Sequence, residues 1–152
     1  MNRRPFLAGL AALGFAATPK PAAAFEVTRT KAQWKAMLTP LQYNVMREEG
    51  TERAFTSPLN DEKRAGTFLC RGCELPLYPS KTKFDSGTGW PSFWQALPNA
   101  VETKPDPGLF GSRTECHCRR CGSHLGHIFD DGPKPTGKRH CINGVSLVFR
   151  PA

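Results

Sequence analysis

The 152-residue sequence contains no apolar run long enough to cross a bilayer and few long stretches with helical periodicity. A membrane-spanning protein and an all-helical bundle are therefore disfavoured, and we expect no stable membrane association. Proline and glycine are frequent, with 14 of each. This length and composition favour one β-rich, loop-rich domain.

Acidic residues are also scarce. There are 13 of them against 21 lysines and arginines, and none precedes Glu26. Without the three cations of the first 24 residues (Arg3, Arg4 and Lys20), the formal charge falls from +8 to +5. That mildly basic balance is weak evidence for a polyanion partner, and we expect no nucleic-acid binding.

The first 24 residues resemble an export signal. Arg3 and Arg4 form a charged start, Phe6 to Ala17 is apolar and short, and small residues end at Ala24. The paired arginines favour the twin-arginine route over an ordinary secretory signal. We therefore predict a signal peptide over 1–24, one folded domain over 25–152, and a periplasmic or otherwise exported protein.

Four of the six cysteines form two Cys-x-x-Cys pairs, Cys70/Cys73 and Cys118/Cys121. Four thiolates in this pattern suit tetrahedral zinc, and a site filled by four protein ligands is structural. The spacer between the pairs is longer than in a usual zinc ribbon, so a subdomain must lie between them. The alternative is two disulfides in a secreted protein.

Cys141 lies apart from these pairs, beside Lys138, Arg139 and His140. Neighbouring cations favour the thiolate and would make Cys141 a nucleophile. Residues 139–149 are predicted to form one strand, which would place Arg139, Cys141 and Asn143 on one face and continue it as an apolar run. The alternative is an inert buried thiol.

Two histidines and an aromatic loop accompany Cys141. His124 and His127 are candidate proton donors, and the carboxylate of Asp131 could orient one of them. Trp90 and Phe93 lie in a glycine-rich loop that could hold a methyl–sulfur group, although core packing is the default for such aromatics.

The coarse secondary structure begins with helices. Residues 31–38 and 40–49 are predicted to be helical, with Thr39 as an N-cap, Trp34 and Leu38 on one face, and Leu41, Val45 and Met46 on another. Residues 104–108 are predicted to form a turn because two prolines and a glycine occur there.

Together these residues resemble the B-type methionine sulfoxide reductases, which act on the R epimer. The resemblance extends from about residue 31 to 151. It rests on the following motifs: Leu38 to Tyr43, Gly50 to Glu52, Phe84 to Gly87, Gly89 to Phe93, His124 to His127, and Gly132 to Asn143. Each motif is short, but their joint order and spacing are specific.

The resemblance implies a fold and a set of roles. The fold would be two antiparallel sheets with short N-terminal helices and a four-cysteine zinc site. Cys141 would attack the sulfoxide and become a sulfenic acid, and His127, with His124 and Asp131, would supply the proton. Arg139 and Asn143 would stabilise the thiolate, and Trp90 would hold the methyl group. Substrates would be oxidised proteins, reduced with electrons from a thioredoxin-like or other thiol donor by a monomeric enzyme.

The sequence departs from the family pattern at three positions. Thr88 occupies the position that often carries the resolving cysteine, His140 replaces the usual aromatic, and Gly144 replaces the usual serine. Cys116 is a candidate substitute for the missing resolving cysteine.

Two other classes of function compete with this interpretation. An exported zinc-ribbon binding module would explain the paired cysteines but not the grouping around Cys141. A cysteine–histidine hydrolase would need an oxyanion loop, which is not evident.

Overall fold

The computed structural model describes residues 24–108 and 111–152. The predicted signal peptide lies outside the described residues except for Ala24. Within the described ranges, no helix is long and apolar enough to cross a membrane.

Two short helices precede the sheets. Helix α1 spans Lys31–Met37 and helix α2 spans Pro40–Glu48. Each is capped in the same way: a threonine hydroxyl, of Thr30 or Thr39, accepts a hydrogen bond from the backbone N–H three residues later, and the glutamine there bonds back. These reciprocal caps satisfy backbone donors that a helix leaves unpaired, and they confirm the predicted N-cap at Thr39.

The buried face of α2 differs in part from the prediction. Trp34, Leu38, Val45 and Met46 are buried as expected, whereas Leu41 is 50 % exposed. Leu41 occupies the second position of the helix and faces away from the core. The prediction that it is buried rested on its apolar side chain alone and is wrong.

The strands form two antiparallel sheets, which confirms the predicted mainly β fold. The small sheet has the order β2-β1-β9, with β1 at Gly66–Cys70, β2 at Pro76–Pro79 and β9 at Leu147–Pro151. The large sheet has the order β3-β4-β8-β7-β6-β5. Its strands are, in chain order, β3 Lys83–Phe84, β4 Ser92–Phe93, β5 Val101–Gly108, β6 Gly111–Cys118, β7 His124–Phe129 and β8 Arg139–Ile142.

The C-terminal segment is two strands in different sheets rather than the single strand predicted over 139–149. Strand β8 ends at Ile142, and a short 3-10 helix, Gly144–Ser146, leads into β9. The buried carboxylate of Glu52 accepts hydrogen bonds from the backbone N–H groups of Gly144 and Val145 at this turn. These two hydrogen bonds stabilise the turn at which the chain leaves the large sheet, although the apolar alternation of the sequence predicts a continued strand.

The predicted turn at 104–108 is part of strand β5. Its prolines, Pro105 and Pro107, are tolerated because β5 is the edge strand of the large sheet. Proline lacks a backbone N–H and is confined to such positions.

The core lies behind the large sheet. Phe93 stacks on Tyr78 with ring centroids 4.3 Å apart and packs edge-on against Phe68 at 5.0 Å. Leu125, Ile142 and Leu147 complete this fully buried group. The opposite face of the sheet is left for the functional side chains.

Gly144 gives a test of packing at the turn. A Cβ there would lie 1.8 Å from the Ser57 hydroxyl oxygen. We expect Gly144→Ala to lower the free energy of unfolding by about 1–3 kcal/mol through overpacking. Adding Ser57→Gly should recover part of that loss, measured by urea denaturation of both single variants and the double variant. Additive losses would show that the two positions do not compete for space.

Candidate active site

Strand register brings the predicted nucleophile and acid together. Cys141 on β8 pairs directly with His127 on β7, and on its other side with Ser92 on β4. His127 in turn pairs with Glu115 on β6. Residues paired across antiparallel strands point to the same face, with Cβ atoms about 4.5–5.5 Å apart. These four side chains therefore share the face that points away from the core.

A β-bulge in β7 adds His124 to that face. Cys116 pairs with Gly126 while His117 pairs with His124, so Leu125 is the extra residue. In a regular strand, two residues three positions apart point to opposite faces of the sheet. The extra residue at the bulge brings His124 and His127 to the same face. The rings of His124 and His127 consequently lie 5.5 Å apart, edge to face.

Asn143 holds the bulge in place. Its backbone N–H and its side-chain amide both donate to the carbonyl of Leu125, at 2.8 and 2.9 Å, and its side-chain oxygen accepts from the N–H of Glu52 at 2.9 Å. Asn143 lines the pocket, and its amide oxygen and one of its two amide N–H groups are bonded to backbone groups. These bonds give Asn143 a positioning role, and its direct stabilisation of the thiolate stays a prediction.

A pocket of about 120 Å³ opens on this face of the sheet. It is lined by Thr51, Trp90, Arg113, Gly126, His127, Phe129, Cys141 and Asn143. The indole N–H of Trp90 donates to the carbonyl of Glu52 at 3.1 Å, which fixes the ring at the pocket wall.

Phe93 does not reach the pocket, contrary to prediction. Its ring is fully buried on the opposite face of the sheet. Phe129 supplies the second aromatic wall instead, and the guanidinium of Arg139 lies 4.4 Å from the centre of its ring.

The environment of Cys141 is less cationic than its sequence neighbours suggest. Burial raises the pKa of the Cys141 thiol above its ordinary value, and the Arg139 charge and hydrogen bonds from Thr88 and Arg139 only partly oppose this effect. His140 points into the core, where Tyr78 bonds its Nδ1 at 3.1 Å and burial lowers its pKa to about 4. His140 is therefore neutral and does not favour the thiolate.

Thr88 connects Cys141 to a short chain of hydroxyl groups. The hydroxyl oxygens of Thr88 and Ser86 lie 2.8 Å apart, and those of Ser86 and Ser92 lie 2.7 Å apart. Because Ser92 also pairs with Cys141 across the sheet, both ends of this hydroxyl chain lie beside Cys141.

His127 is oriented by Asp106 rather than by Asp131. Its Nε2 lies 2.7 Å from the Asp106 carboxylate, which also accepts from Arg113 at 2.7 Å. Burial lowers the pKa of His127, although the bond to Asp106 opposes this. The imidazole is therefore neutral near pH 7. Since a carboxylate only accepts, the Nε2–H points to Asp106 and Nδ1 keeps its lone pair.

Asp131 pairs with Arg139 instead. The two side chains form a bidentate ion pair at 2.9 and 3.0 Å, which orients the guanidinium beside Cys141. Asp131 is thus a positioning residue for Arg139 and does not assist His127.

His124 is buried outside the pocket wall. Its Nδ1 lies 2.7 Å from the carboxylate of Glu115, which also bonds His117 at 2.7 Å. Burial would raise the pKa of Glu115, but hydrogen bonds from His117 and His124 lower it to about 2. The hydrogen bond between His124 and Glu115 fixes the His124 ring against His127.

Cys116, the candidate resolving cysteine, lies far from Cys141 in this fold. It is fully buried on the core face, with its sulfur 3.7 Å from the Tyr78 hydroxyl, and burial raises its pKa to about 12. Strands β6 and β8 are separated by β7, which places their Cα atoms roughly 10 Å apart. A disulfide needs Cα atoms within about 7 Å.

The four paired cysteines converge as predicted. The sulfur atoms of Cys70, Cys73, Cys118 and Cys121 all lie within 4.8 Å of one another. The closest pairs are 3.5 and 3.7 Å apart, too far for a disulfide and close to the roughly 3.8 Å between thiolates around tetrahedral zinc. These residues are therefore placed to hold a metal ion.

Several residues of the site were not predicted from the sequence. Arg113 and Glu115 could have been found, because they alternate with His117 in a segment that leads to the second cysteine pair. Asp106 was not predicted, because the prolines on either side of it indicated a turn. Nothing in the sequence around Thr51 or Phe129 indicated a role in the site.

The family profile described as "SelR domain" matches residues 38–151. The chain belongs to the SelR-domain family. Relatives named "Peptide methionine sulfoxide reductase MsrB" include those of Thiobacillus denitrificans, 54 % identical over 81 % of this chain and 94 % of that protein, and Methanosarcina barkeri, 51 % identical over 82 % and 88 %. The Pseudomonas putida relative, 52 % identical, covers 83 % of this chain and 96 % of its own length.

The rate of alkylation of Cys141 in this SelR-domain protein tests how burial and the Arg139 charge together set the pKa of its thiol. Because burial raises its pKa, the iodoacetamide rate should rise with pH and reach half its maximum above the pH found for free cysteine. Arg139→Met should move that midpoint higher, as it removes the stabilising cation. Peptide mass spectrometry would quantify Cys141 at each pH.

Lys138→Met is the matched control. Its ammonium pairs with Asp130, so its loss should leave the midpoint unchanged. A shift with Lys138→Met but none with Arg139→Met would contradict the assignment.

Proposed function

We propose that this protein reduces methionine-R-sulfoxide in oxidised proteins to methionine, with Cys141 as the nucleophile. The observation that carries the proposal is the direct pairing of Cys141 with His127 at a pocket walled by Trp90 and Phe129. The family membership supports the same reaction. The alternative, a zinc-ribbon binding module, does not explain why Cys141 and His127 are paired beside an aromatic pocket.

The protonation states suit the chemistry. Cys141 rests as a thiol and His127 as a neutral base, so the Nδ1 of His127 takes the thiol proton when Cys141 attacks the sulfoxide sulfur. The same proton then protonates the departing oxygen, which cannot leave as oxide. The hydroxyl group passes from the substrate sulfur to the Cys141 sulfur as the sulfur–sulfur bond formed in the attack breaks. The substrate sulfur thereby gains two electrons and leaves as the thioether, and Cys141 loses two and becomes a sulfenic acid.

The fixed walls of the pocket account for the expected stereospecificity of the reaction. The sulfoxide sulfur is chiral, and one enzyme serves each epimer. With the oxygen held towards His127 and the methyl group between Trp90 and Phe129, one epimer alone presents its sulfur to Cys141.

Turnover on both epimers tests the proposal. With dithiothreitol as reductant, we expect reduction of the R epimer and no significant reduction of the S epimer. Cys141→Ser should abolish turnover, because a serine hydroxyl cannot be oxidised in this way, whereas Cys116→Ser should retain it. Substantial activity of Cys141→Ser, or preference for the S epimer, would refute the proposal.

We further propose that the four-cysteine site holds structural zinc. Each half of the site is a tight turn in which the carbonyl of the first cysteine accepts a hydrogen bond from the residue after the second, at 2.7 Å for Cys70 and 2.8 Å for Cys118. Four thiolates leave no open position for substrate, so the ion would join the two sheets rather than take part in the reaction.

Metal content and stability test the zinc site. Cys118→Ser should lose the metal and lower the melting temperature, since metal binding contributes directly to folding. Cys116→Ser, two residues away and outside the ligand set, should keep one zinc per chain. Purified protein without zinc and with the four thiols oxidised would contradict this proposal.

The fate of the sulfenic acid is a separate proposal. Thr88 cannot form a disulfide, and Cys116 lies two strands away on the other face, so an external thiol donor of the thioredoxin type attacks Cys141 directly. After one equivalent of substrate without reductant, peptide mapping should find a sulfenic acid trapped at Cys141. A Cys116–Cys141 disulfide would refute direct reduction.

We also propose export through the twin-arginine route, on the strength of Arg3, Arg4 and the small residues before Phe25. Changing both arginines to lysine should retain the precursor in the cytoplasm, and unchanged export would favour the ordinary secretory route.

A further inference from the structure

Phe55 is the most exposed large apolar side chain among the described residues, at 74 %. Its backbone adopts φ 64°, a left-handed conformation that is rare for a bulky residue. A hydrogen bond from its N–H to the carbonyl of Gly89, at 2.8 Å, holds this conformation. The ring is thus kept in solvent beside the residue that precedes Trp90.

A second depression, of about 200 Å³, lies between Phe55 and the loop that carries Trp90. Its apolar wall consists of Phe55, Phe84, Trp90 and Pro91. Its polar rim carries Lys83, Asp61 and Asp85, and the Asp85 carboxylate accepts a hydrogen bond from the N–H of Gly87 at 2.9 Å. Trp90 also lines the catalytic pocket, so the two depressions meet at one indole ring. We call this second depression the flanking groove.

The floor of the flanking groove is fixed by hydrogen bonds. The carbonyl of Gly89 accepts from the side-chain amide of Asn60 at 3.1 Å as well as from Phe55. The ammonium of Lys83 donates to the carbonyl of Asn60 at 2.9 Å. Since a Cβ at Gly89 would lie 2.9 Å from the Phe55 ring, glycine is what allows the ring to approach this closely.

We propose that the flanking groove binds an apolar side chain of the substrate polypeptide, one or two residues from the oxidised methionine. The inference rests on the proposed function, which requires a polypeptide to extend beyond the catalytic pocket. An extended chain advances about 3.3–3.6 Å per residue, so a neighbouring side chain reaches across one indole ring. Phe55 and Trp90 offer it aromatic contact, and the groove's cation is already engaged.

Peptide kinetics test the flanking groove. Peptides with a central methionine-R-sulfoxide and one phenylalanine at position −2, −1, +1 or +2 are compared with all-alanine peptides, with dithiothreitol as reductant. For the wild type, we expect at least one position to raise kcat/KM about threefold to tenfold, mainly through KM.

Phe55→Asn should abolish that gain, because asparagine tolerates the left-handed backbone but offers no apolar ring. Phe55→Tyr should retain it. Leu41→Asn, which changes an exposed apolar residue that does not line the groove, is the matched control and should also retain it. Activity on N-acetyl-methionine-R-sulfoxide amide, which has no flanking side chains, should be the same in all four proteins.

Equal kcat/KM for phenylalanine and alanine peptides at every position in the wild type would overturn the proposal. So would a full gain in Phe55→Asn, or an effect of Phe55→Asn seen only with a protein reductant, which would assign the groove to the electron donor. Failure of the wild type on all the peptides as well as on the N-acetyl substrate would instead refute the proposed function, so the two failures are distinguishable.

Discussion

The close approach of β7 to β8 is the constraint on which the active site depends. A Cβ at Gly126 would lie 2.0 Å from the carbonyl oxygen of Cys141, so only glycine allows these strands to pair here. That pairing places His127 opposite Cys141. The bulge at Leu125, held by Asn143, then returns His124 to the same face. One glycine and one amide thus set the geometry that the chemistry uses.

Burial governs the protonation of this pair more than charge does. It raises the pKa of Cys141 and lowers that of His127, so both groups are neutral at rest. A neutral thiol beside a neutral imidazole keeps one mobile proton inside the pocket. That proton is what a sulfoxide oxygen needs in order to leave. The hydrogen bond from His127 to Asp106 and the ion pair of Arg139 with Asp131 orient the groups beside it.

The sequence was informative where spacing is local. The two cysteine pairs, the Thr39 cap of α2 and the shared face of Arg139 and Cys141 follow from short-range patterns, and the family resemblance supplied the two sheets. Long-range pairings could not be read in this way. Asp106 reaches His127 only because edge strand β5 folds back on β6, and Phe93 turns into the core because of the register between β4 and β8. The positioning role of Asn143 was not predicted, because nothing local shows that backbone groups bond to its amide.

The single-turnover rate of methionine formation in a His127→Asn variant tests the central claim most directly. Without reductant, we predict a rate about 10²- to 10⁴-fold below that of the wild type, the usual contribution of a positioned acid–base group. Alkylation of Cys141 in the same variant should show that the thiol remains intact and accessible. An unchanged single-turnover rate would contradict the proposal that the Cys141–His127 pair carries the reaction.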